Sequence, residues 1–328
     1  MTQVPYPDEP GPGQALIRMT LSTICGSDIH ILDEMPVPAG VPMGHEAVGV
    51  VEALGAGVTR FKKGDRVASS CLFSCGACRR CMDGEPAICE TFNAPANLLF
   101  GGQGEYFLVS GAQTTLAKIP DALDDDQVLF VTDIMSTGFG AIERGGIRPG
   151  DTVAVFAQGP VGLCATAGAR TLGAGLIIAV ESIPERVAMA KRFGADIVFD
   201  PSEAVSRIMA LTNNKGVDIA VEALGHQATF ENACAVTRLG GTVSSVGVYS
   251  AFPTLSLPTS GTFIHRKLVT TFCPVGTDRL TRLMALIETG KVDLRPLLSH
   301  SMPLAKTPEA YELFRERRGG VLKIALRP

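Results

Sequence analysis

Beyond Pro149-Gly150-Asp151 the chain alternates short apolar runs with stretches of helical period, and this alternation limits the fold more than any other feature. Apolar runs fall at residues 153–156, 176–180, 217–221 and 241–246, and helical patterns fill 161–172, 184–193 and 228–237 between them. Parallel neighbours cannot be joined by a tight turn. Each pair needs a crossover of a dozen or more residues, which a helix of this length supplies. The pattern predicts an α/β domain built on a doubly wound parallel sheet.

The first turn of that region carries Ala157-Gln158-Gly159-Pro160-Val161-Gly162, and Glu181 closes the next apolar run 19 positions after Gly162. Strand, turn, helix and spaced acid together form a Rossmann fingerprint. Its glycines let the backbone approach a pyrophosphate seated on the helix N-terminus, and the acid accepts hydrogen bonds from the adenosine ribose. A tight turn with no ligand is the other reading. Ala157 stands where the first glycine usually does, which a Cβ tolerates if that φ is negative, so the change reads as a minor deviation. A carboxylate at Glu181 repels a 2′-phosphate and favours NAD over NADP, while Arg186 keeps NADP as a second outcome.

The rest of the chain has a different texture. Residues 15–19, 46–54, 66–68 and 106–109 are short apolar runs, broken by Gly55-Ala56-Gly57 and Lys63-Gly64-Asp65, as in a β-rich, barrel-like domain. The period turns helical over 121–143, with Asp124-Asp125-Asp126 in a first turn where negative charge complements the helix dipole. After Cys273, helical stretches at 278–289 and 308–314 precede a last apolar run at 321–325, which returns the tail to the first domain. The 328 residues therefore divide into a β-rich domain of 1–135 with 275–328 and a parallel-sheet domain of 136–274. A net charge of −4 with no Lys/Arg-rich block gives no electrostatic footprint for nucleic acid or an anionic membrane, so the expected partner is a small molecule. No apolar stretch of about 18 residues or charged leader occurs, and the expected location is cytoplasmic. The nine cysteines then read as metal ligands or buried thiols, not as a disulfide framework.

Two cysteine-bearing stretches carry that reading. Cys25-Gly26-Ser27-Asp28-Ile29-His30 and Met43-Gly44-His45-Glu46 bring together thiol, imidazole and carboxylate, the ligand types zinc prefers. Cys25 and His45 are candidate ligands of a catalytic zinc whose third ligand lies elsewhere. Cys75, Cys78, Cys81 and Cys89 follow the pattern C-x2-C-x2-C-x7-C, which can close a four-thiolate structural zinc site. An iron–sulfur run of the bacterial type would place its fourth cysteine earlier and follow it with proline, whereas Glu90 follows here.

Taken with Glu222-Ala223-Leu224-Gly225, Val246-Gly247-Val248 and Lys323, these motifs resemble the zinc-dependent medium-chain alcohol dehydrogenases from about Pro10 to the C-terminus. The resemblance implies a GroES-like β-rich catalytic domain and a Rossmann coenzyme domain. It also implies two zincs, cofactor contacts from Thr137, Gly159 to Gly162, Glu181, Arg186, 223–225, 246–248 and Lys323, and a homotetramer or dimer. Most of the family ligates the catalytic zinc with a cysteine just before the coenzyme domain. Asp133 occupies that place here, as in bacterial secondary-alcohol dehydrogenases, and Phe272-Cys273-Pro274 resembles their substrate pocket. Those relatives often lack the four-cysteine loop, so the chain combines two patterns. Family members usually carry another strand pair before the segment matching Pro10.

By the same resemblance the metal's open position takes the substrate oxygen, Ser27 hydrogen-bonds it, and His30 is the surface end of a proton relay. Glu46 is a transient fourth ligand or a neighbour of the metal. Pocket walls are expected from residues 91–100, Met135 and Phe272, mostly apolar, which favours an uncharged, secondary alcohol or ketone. A polyol or threonine dehydrogenase shares nearly all these motifs, and a non-catalytic zinc-binding scaffold is the alternative of another class. The zinc is expected at the mouth of a cleft where NAD arrives.

Overall fold

The computed structural model of the chain describes residues 5–34, 40, 42–93, 97–249, 254–257 and 265–328. In chain order its strands are β1 (Ala15–Thr23), β2 (Ala47–Leu54), β3 (Arg66–Ser69), β4 (Tyr106–Val109) and β5 (Leu116–Lys118). There follow β6 (Thr152–Phe156), β7 (Leu176–Val180), β8 (Ile197–Phe199), β9 (Val217–Glu222), β10 (Thr237–Ser245), β11 (Lys267–Thr270), β12 (Leu298–Pro303) and β13 (Lys323–Arg327). The chain forms two compact units, Met1–Ser136 with Cys273–Pro328, and Thr137–Phe272.

The first unit is built on a seven-stranded sheet in the order β12-β13-β1-β2-β3-β5, with β4 paired to β1. β1 is its hub. It runs antiparallel to β2 along nearly its whole length, to β4 through Ala15–Arg18 and to β13 through Ser22 and Thr23. Being covered on both faces, β1 buries most of its residues, where a half-exposed strand would alternate. Ile17, Met19, Ala47, Val51, Val67, Phe107, Ile324 and Leu326 form the core of this unit. Gly49 of β2 has no room for a side chain, because a Cβ would stand 2.3 Å from the carbonyl oxygen of Arg18.

The helical stretch expected at 121–143 is broken. Asp124 caps a short helix, Asp125–Val128, in a capping box with Gln127, and a 3-10 turn, Leu129–Thr132, follows. Asp133 then leaves helical geometry, at φ −148° and ψ −78°, before the helix Ile134–Arg144 begins. The acidic run is divided among tasks: Asp125 pairs with Arg66 at 2.5 Å and Asp126 with Arg327 at 2.6 Å.

The second unit is an all-parallel six-stranded sheet in the order β11-β10-β9-β6-β7-β8. β7 and β8 lie on one side of β6, and β9 to β11 on the other. Strand order therefore reverses between β6 and β9, where the carboxyl ends of a doubly wound sheet form a crevice for ligands. Ala154, Phe156, Ile178, Val180, Ile208, Ala220, Phe230 and Val243 fill its core. Helices Pro160–Thr171, Pro184–Arg192 and Gln227–Val236 supply crossovers. Sequence periodicity marked those three and passed over β8, β11 and the helix Ala204–Leu211. Three- and four-residue strands carry too few alternations to stand out.

Candidate active site

β1 ends at Thr23, and the helix Gly26–Glu34 starts within three residues, which puts Cys25 at the junction. Asp28 fixes that start: its Oδ2 accepts the backbone N–H of Cys25 at 2.9 Å, and its own N–H donates to the carbonyl of Cys25 at 3.1 Å. His45 and Glu46 stand immediately before β2, and Asp133 sits at the break between two helical segments. These four residues come from three separate places in the first unit, yet ligand atoms of Cys25, His45, Glu46 and Asp133 all lie within 4.8 Å of one another. Ser27 Oγ is 3.2 Å from His45 Nε2, and His30 lies exposed with Nδ1 3.3 Å from Glu34.

The other ring nitrogen of His45 decides which end faces a metal. Nδ1 lies 3.1 Å from Oδ1 of the fully buried Asp28, an oxygen with no other partner among the described residues. A carboxylate there holds the proton on Nδ1 and leaves the Nε2 lone pair pointing at Asp133 and Cys25. In the sequence Asp28 is one residue of the Cys25–His30 stretch, with nothing in its spacing to mark a role. Its helical offset of three from Cys25 is local, but its approach to His45 is not.

Three observations test whether these residues fit zinc. The His45 Nε2 to Asp133 Oδ2 separation is 3.3 Å, and a tetrahedron with bonds of about 2.0–2.1 Å has edges of about 3.3–3.4 Å. Glu46 is fully buried, and its Oε2 has no hydrogen-bond partner among the described residues. Burial favours the neutral His45 ring, but Asp28 and Asp133 outweigh it and hold the ring's pKa well above the ordinary range. The cluster thus attracts a cation, and its donors are of the kind zinc takes. Cys25, His45 and Glu46 with Asp133 could hold it.

Lys323 enters the same cluster. Its side chain is 1% exposed, its Nζ pairs with Glu46 Oε1 and donates to the carbonyl of Ile24 at 3.2 Å. Burial pushes the Lys323 ammonium down, but Cys25 and Glu46 push it further up, so it stays charged. The resemblance implies a cofactor contact from Lys323; in the fold its ammonium lies on Glu46. Cys71 and Cys273 are buried beside Asp133, with ligand atoms of all three within 4.8 Å. Of the expected pocket wall, residues 94–96 lie outside the described residues, Leu99 and Met135 are fully buried, and Phe272 is 49% exposed.

The four cysteines of the loop converge as their spacing predicts. Cys75 Sγ is 4.0 Å from Cys81 Sγ, and Cys78 Sγ is 3.9 Å from Cys89 Sγ. Bonds of about 2.3 Å to a tetrahedral zinc require sulfur separations of about 3.8 Å. Cys75 Sγ accepts from the N–H groups of Ala77 and Cys78 and from the Thr91 hydroxyl. Burial raises the Cys75 pKa, but these donors outweigh it and bring the thiol down to about 6. Burial and the neighbouring sulfurs Cys78 and Cys89 push Cys81 up to about 12. Thiols this close resist ionising together, and a bound cation removes that conflict. All nine cysteines are unpaired by disulfides.

In the second unit the fingerprint turn joins β6 to the helix Pro160–Thr171, capped by Gly159 with Pro160 at its first turn. A Cβ at Gly162 would stand 1.9 Å from the Ala157 carbonyl oxygen, whereas among the described residues other than its chain neighbours nothing lies within 4 Å of one at Gly159. The expectation for Ala157 needs correcting: its φ is +72°, in the left-handed region. The turn keeps the backbone that glycine would provide and places a Cβ on it, because the tight return to the helix over Gly162 demands that conformation. Glu181 is buried; Oε2 accepts from Gln158 N at 3.0 Å and Oε1 from Ser182 N and Ile183 N at 2.8 and 3.0 Å. Arg186 approaches Glu181 at 4.0 Å. Segments 223–225 and 246–248 lie backbone to backbone, since a Cβ at Gly225 would meet the Val248 carbonyl at 2.1 Å and one at Gly247 the Gly225 nitrogen at 2.1 Å. Glu222 ties them: its carbonyl accepts from Val246 N and Gly247 N, and its carboxylate from Leu224 N, Gly225 N, Thr229 Oγ1 and Tyr249 OH.

Known proteins share these features. Residues 11–121 match the alcohol dehydrogenase GroES-like domain family, and residues 160–289 match the zinc-binding dehydrogenase family. An alcohol dehydrogenase of Cupriavidus necator is 46% identical over 345 residues, spanning 99% of this chain and 94% of that protein. The chain belongs to the zinc-dependent medium-chain alcohol dehydrogenases. The NADP-dependent isopropanol dehydrogenase of Thermoanaerobacter brockii is 36% identical over 301 residues, covering 89% of this chain and 86% of that one. The solved alcohol dehydrogenase TADH from Thermus sp. ATN1 superposes with a TM-score of 0.92 at 35% identity, covering 99% of this chain and 95% of the other.

This alcohol dehydrogenase is thus an oxidoreductase acting on CH–OH donors, with the family's two-part architecture of a GroES-like unit and a parallel Rossmann sheet. No helix among its described residues is long and apolar enough to cross a membrane.

Proposed function

We propose that the enzyme oxidises small, mostly apolar secondary alcohols, and reduces the matching ketones, with Cys25, His45 and Asp133 holding the catalytic zinc and NAD as the hydride carrier. The observation that carries this reading is the convergence of Cys25, His45, Glu46 and Asp133 in one largely buried cluster. Zinc bound there supplies Lewis acidity toward an alcohol oxygen, and the nicotinamide supplies the acceptor for the hydride.

The chain's own residues do the rest. Ser27 Oγ, on the metal-facing side of His45, holds the proton that leaves the alcohol oxygen. His30, three positions along the same helix and exposed, passes it to solvent. Lys323 pairs with Glu46 at the edge of the cluster, and Glu46 is available as a transient ligand. Cys71 and Cys273 crowd Asp133 with apolar surface, which suits a mostly apolar alcohol better than a hydroxyl-rich polyol. The isopropanol dehydrogenase relative is consistent with a secondary alcohol.

Glu181 supports NAD: its buried carboxylate is anchored by three backbone N–H groups and would oppose a 2′-phosphate. Cysteines 75, 78, 81 and 89 hold the second zinc. A homotetramer, or else a dimer, is the assembly this reading expects.

The test is a steady-state panel of propan-2-ol, primary alcohols, sorbitol and threonine with NAD and NADP, on wild type and on Asp133→Ala and His45→Ala. The reading requires highest kcat/KM for a secondary alcohol with NAD, and loss of turnover with retained dinucleotide binding in both variants. Unchanged activity in either variant overturns the ligand assignment, and a preference for sorbitol or threonine overturns the substrate.

A further inference from the structure

His45 is held by Asp28, and Asp28 is itself held by a residue far along the chain. Gln103 Nε2 donates to Asp28 Oδ2 at 3.0 Å and to the carbonyl of Thr23 at 3.1 Å. Both are acceptors only, so the amide nitrogen must face them and the amide oxygen must face the other way. There it accepts from the hydroxyl of Tyr311 at 2.8 Å. The orientation of the Gln103 amide is thus fixed from both ends. Burial pushes the Tyr311 phenol well up, as does the Asp28 charge, so the hydroxyl remains a donor.

The backbone around Gln103 is tied to the segment that carries His45. Gln103 N donates to the Met43 carbonyl and Gly102 N to the Gly44 carbonyl, each at 2.9 Å. Gly44 has φ +96°, and a Cβ there would stand 2.4 Å from Gln103 Cγ and 2.7 Å from its backbone nitrogen. Gly44 therefore lacks a side chain for two reasons, its backbone angle and the seat of Gln103. Tyr311 belongs to the helix Thr307–Arg315 and packs against the core of the first unit, so its hydroxyl is a rigid support.

Resting on the zinc ligation proposed above, we infer that Gln103, braced by Tyr311, is a positioning residue for the catalytic metal: it fixes the Asp28 carboxylate, which fixes the ring of His45. Asp28 has one oxygen for His45 and one shared between the Cys25 N–H and Gln103. Without the Gln103 donor, Oδ2 keeps only the Cys25 N–H, and the carboxylate can turn about that single bond, taking the imidazole off its line. The same Cys25 N–H bond then couples the disturbance to the thiolate ligand. Neither Gln103 nor Tyr311 is among the groups that could ligate the metal, so both act through others. Outer partners of this type typically set metal affinity by 10–100-fold.

The experiment uses the two-zinc enzyme. Zinc release to a chromogenic chelator is followed for wild type, Gln103→Met and Tyr311→Phe, with the four-cysteine zinc as an internal control. In parallel, cobalt is exchanged into the catalytic site and its visible absorption recorded. The expected result for Gln103→Met is roughly 10–100-fold weaker retention of the catalytic metal and a shifted cobalt spectrum. Tyr311→Phe should change both in the same direction but by less, since the amide keeps its contacts to Asp28 and Thr23. Release of the second zinc stays at the wild-type rate. Catalytic-metal retention within about twofold of wild type and an unchanged cobalt spectrum, in Gln103→Met that melts normally, overturn the inference. If Gln103→Met does not fold, an unaltered spectrum and retention in Tyr311→Phe do so. A wild-type enzyme that holds only the four-cysteine zinc would instead refute the ligation reading itself.

Discussion

Replacing Lys323 by methionine isolates the energetics of the buried Lys323–Glu46 ion pair beside the metal cluster. Lys323 and Glu46 side chains are 1% and 0% exposed. In wild type Glu46 Oε1 has the ammonium, while Oε2 has no hydrogen-bond partner among the described residues. Methionine keeps most of the volume and removes the charge, so a carboxylate is left in the interior with neither oxygen compensated. Breaking a buried pair this way costs about 3–5 kcal/mol, whereas replacing both members by apolar groups of similar shape is often close to neutral. The predicted order of stability in zinc-stripped protein is therefore wild type near Lys323→Met/Glu46→Leu, and Lys323→Met alone well below both. For a unit of this size each kcal/mol moves Tm by about 2–4 °C, which gives a fall of about 6–20 °C for the single variant by calorimetry. The sign with pH also follows. Burial already raises the Glu46 pKa and Lys323 restrains it; without Lys323 the native-state pKa rises further above that of the unfolded chain. Stability contributed by the protonated form is present at low pH and lost as pH rises through the native value, so the defect shrinks on acidification. A single variant melting within about 2 °C of wild type at neutral pH, with no recovery in the double, would refute the reasoning.

Other consequences can be measured separately. Gly162→Ala forces a Cβ to 1.9 Å from the Ala157 carbonyl, so overpacking should destabilise the fold by about 1–3 kcal/mol in denaturant unfolding while zinc content is unchanged. Ala157→Gly relieves a φ of +72°; a left-handed cost of about 1–2 kcal/mol, less about 0.4–1 for the freer unfolded chain, predicts a stabilisation of about 0.5–1 kcal/mol by denaturant unfolding. Asp218 accepts from Thr152 N and from Arg238 Nε at 2.8 and 2.6 Å; burial raises its pKa but these donors outweigh it and hold it below the ordinary 3.8. Its contribution is full above that value and lost as pH falls through the lower native one, so Asp218→Asn should cost about 1 kcal/mol at pH 7 and the gap should close in acid. Cys78→Ser should lower bound zinc by one per chain on elemental analysis and reduce Tm, with the Cys25 and His45 site still loaded.

What the sequence determined by itself is whatever depends on neighbours along the chain. Strand, turn, helix and Glu181 lie within one supersecondary unit, and the four loop cysteines fall within fifteen residues, so spacing alone carries their geometry. Ligand types could be read for Cys25 and His45, and Asp133 was reached by resemblance. What spacing could not give is the use of each side chain once distant segments meet. The sign of φ at Ala157 depends on how closely the helix returns over Gly162. Lys323 reads as a basic residue of the last strand, yet the β13–β1 pairing carries it into the interior against Glu46, 277 positions away. Gln103 is an unremarkable amide in a glycine-rich turn until Thr23, Asp28 and Tyr311 surround it. The physical reason is the same in each case. Metal donors announce themselves by chemistry, but the groups that orient them are ordinary polar residues, chosen by the obligation of buried donors and acceptors to find partners, and only the closed fold decides which ones they find.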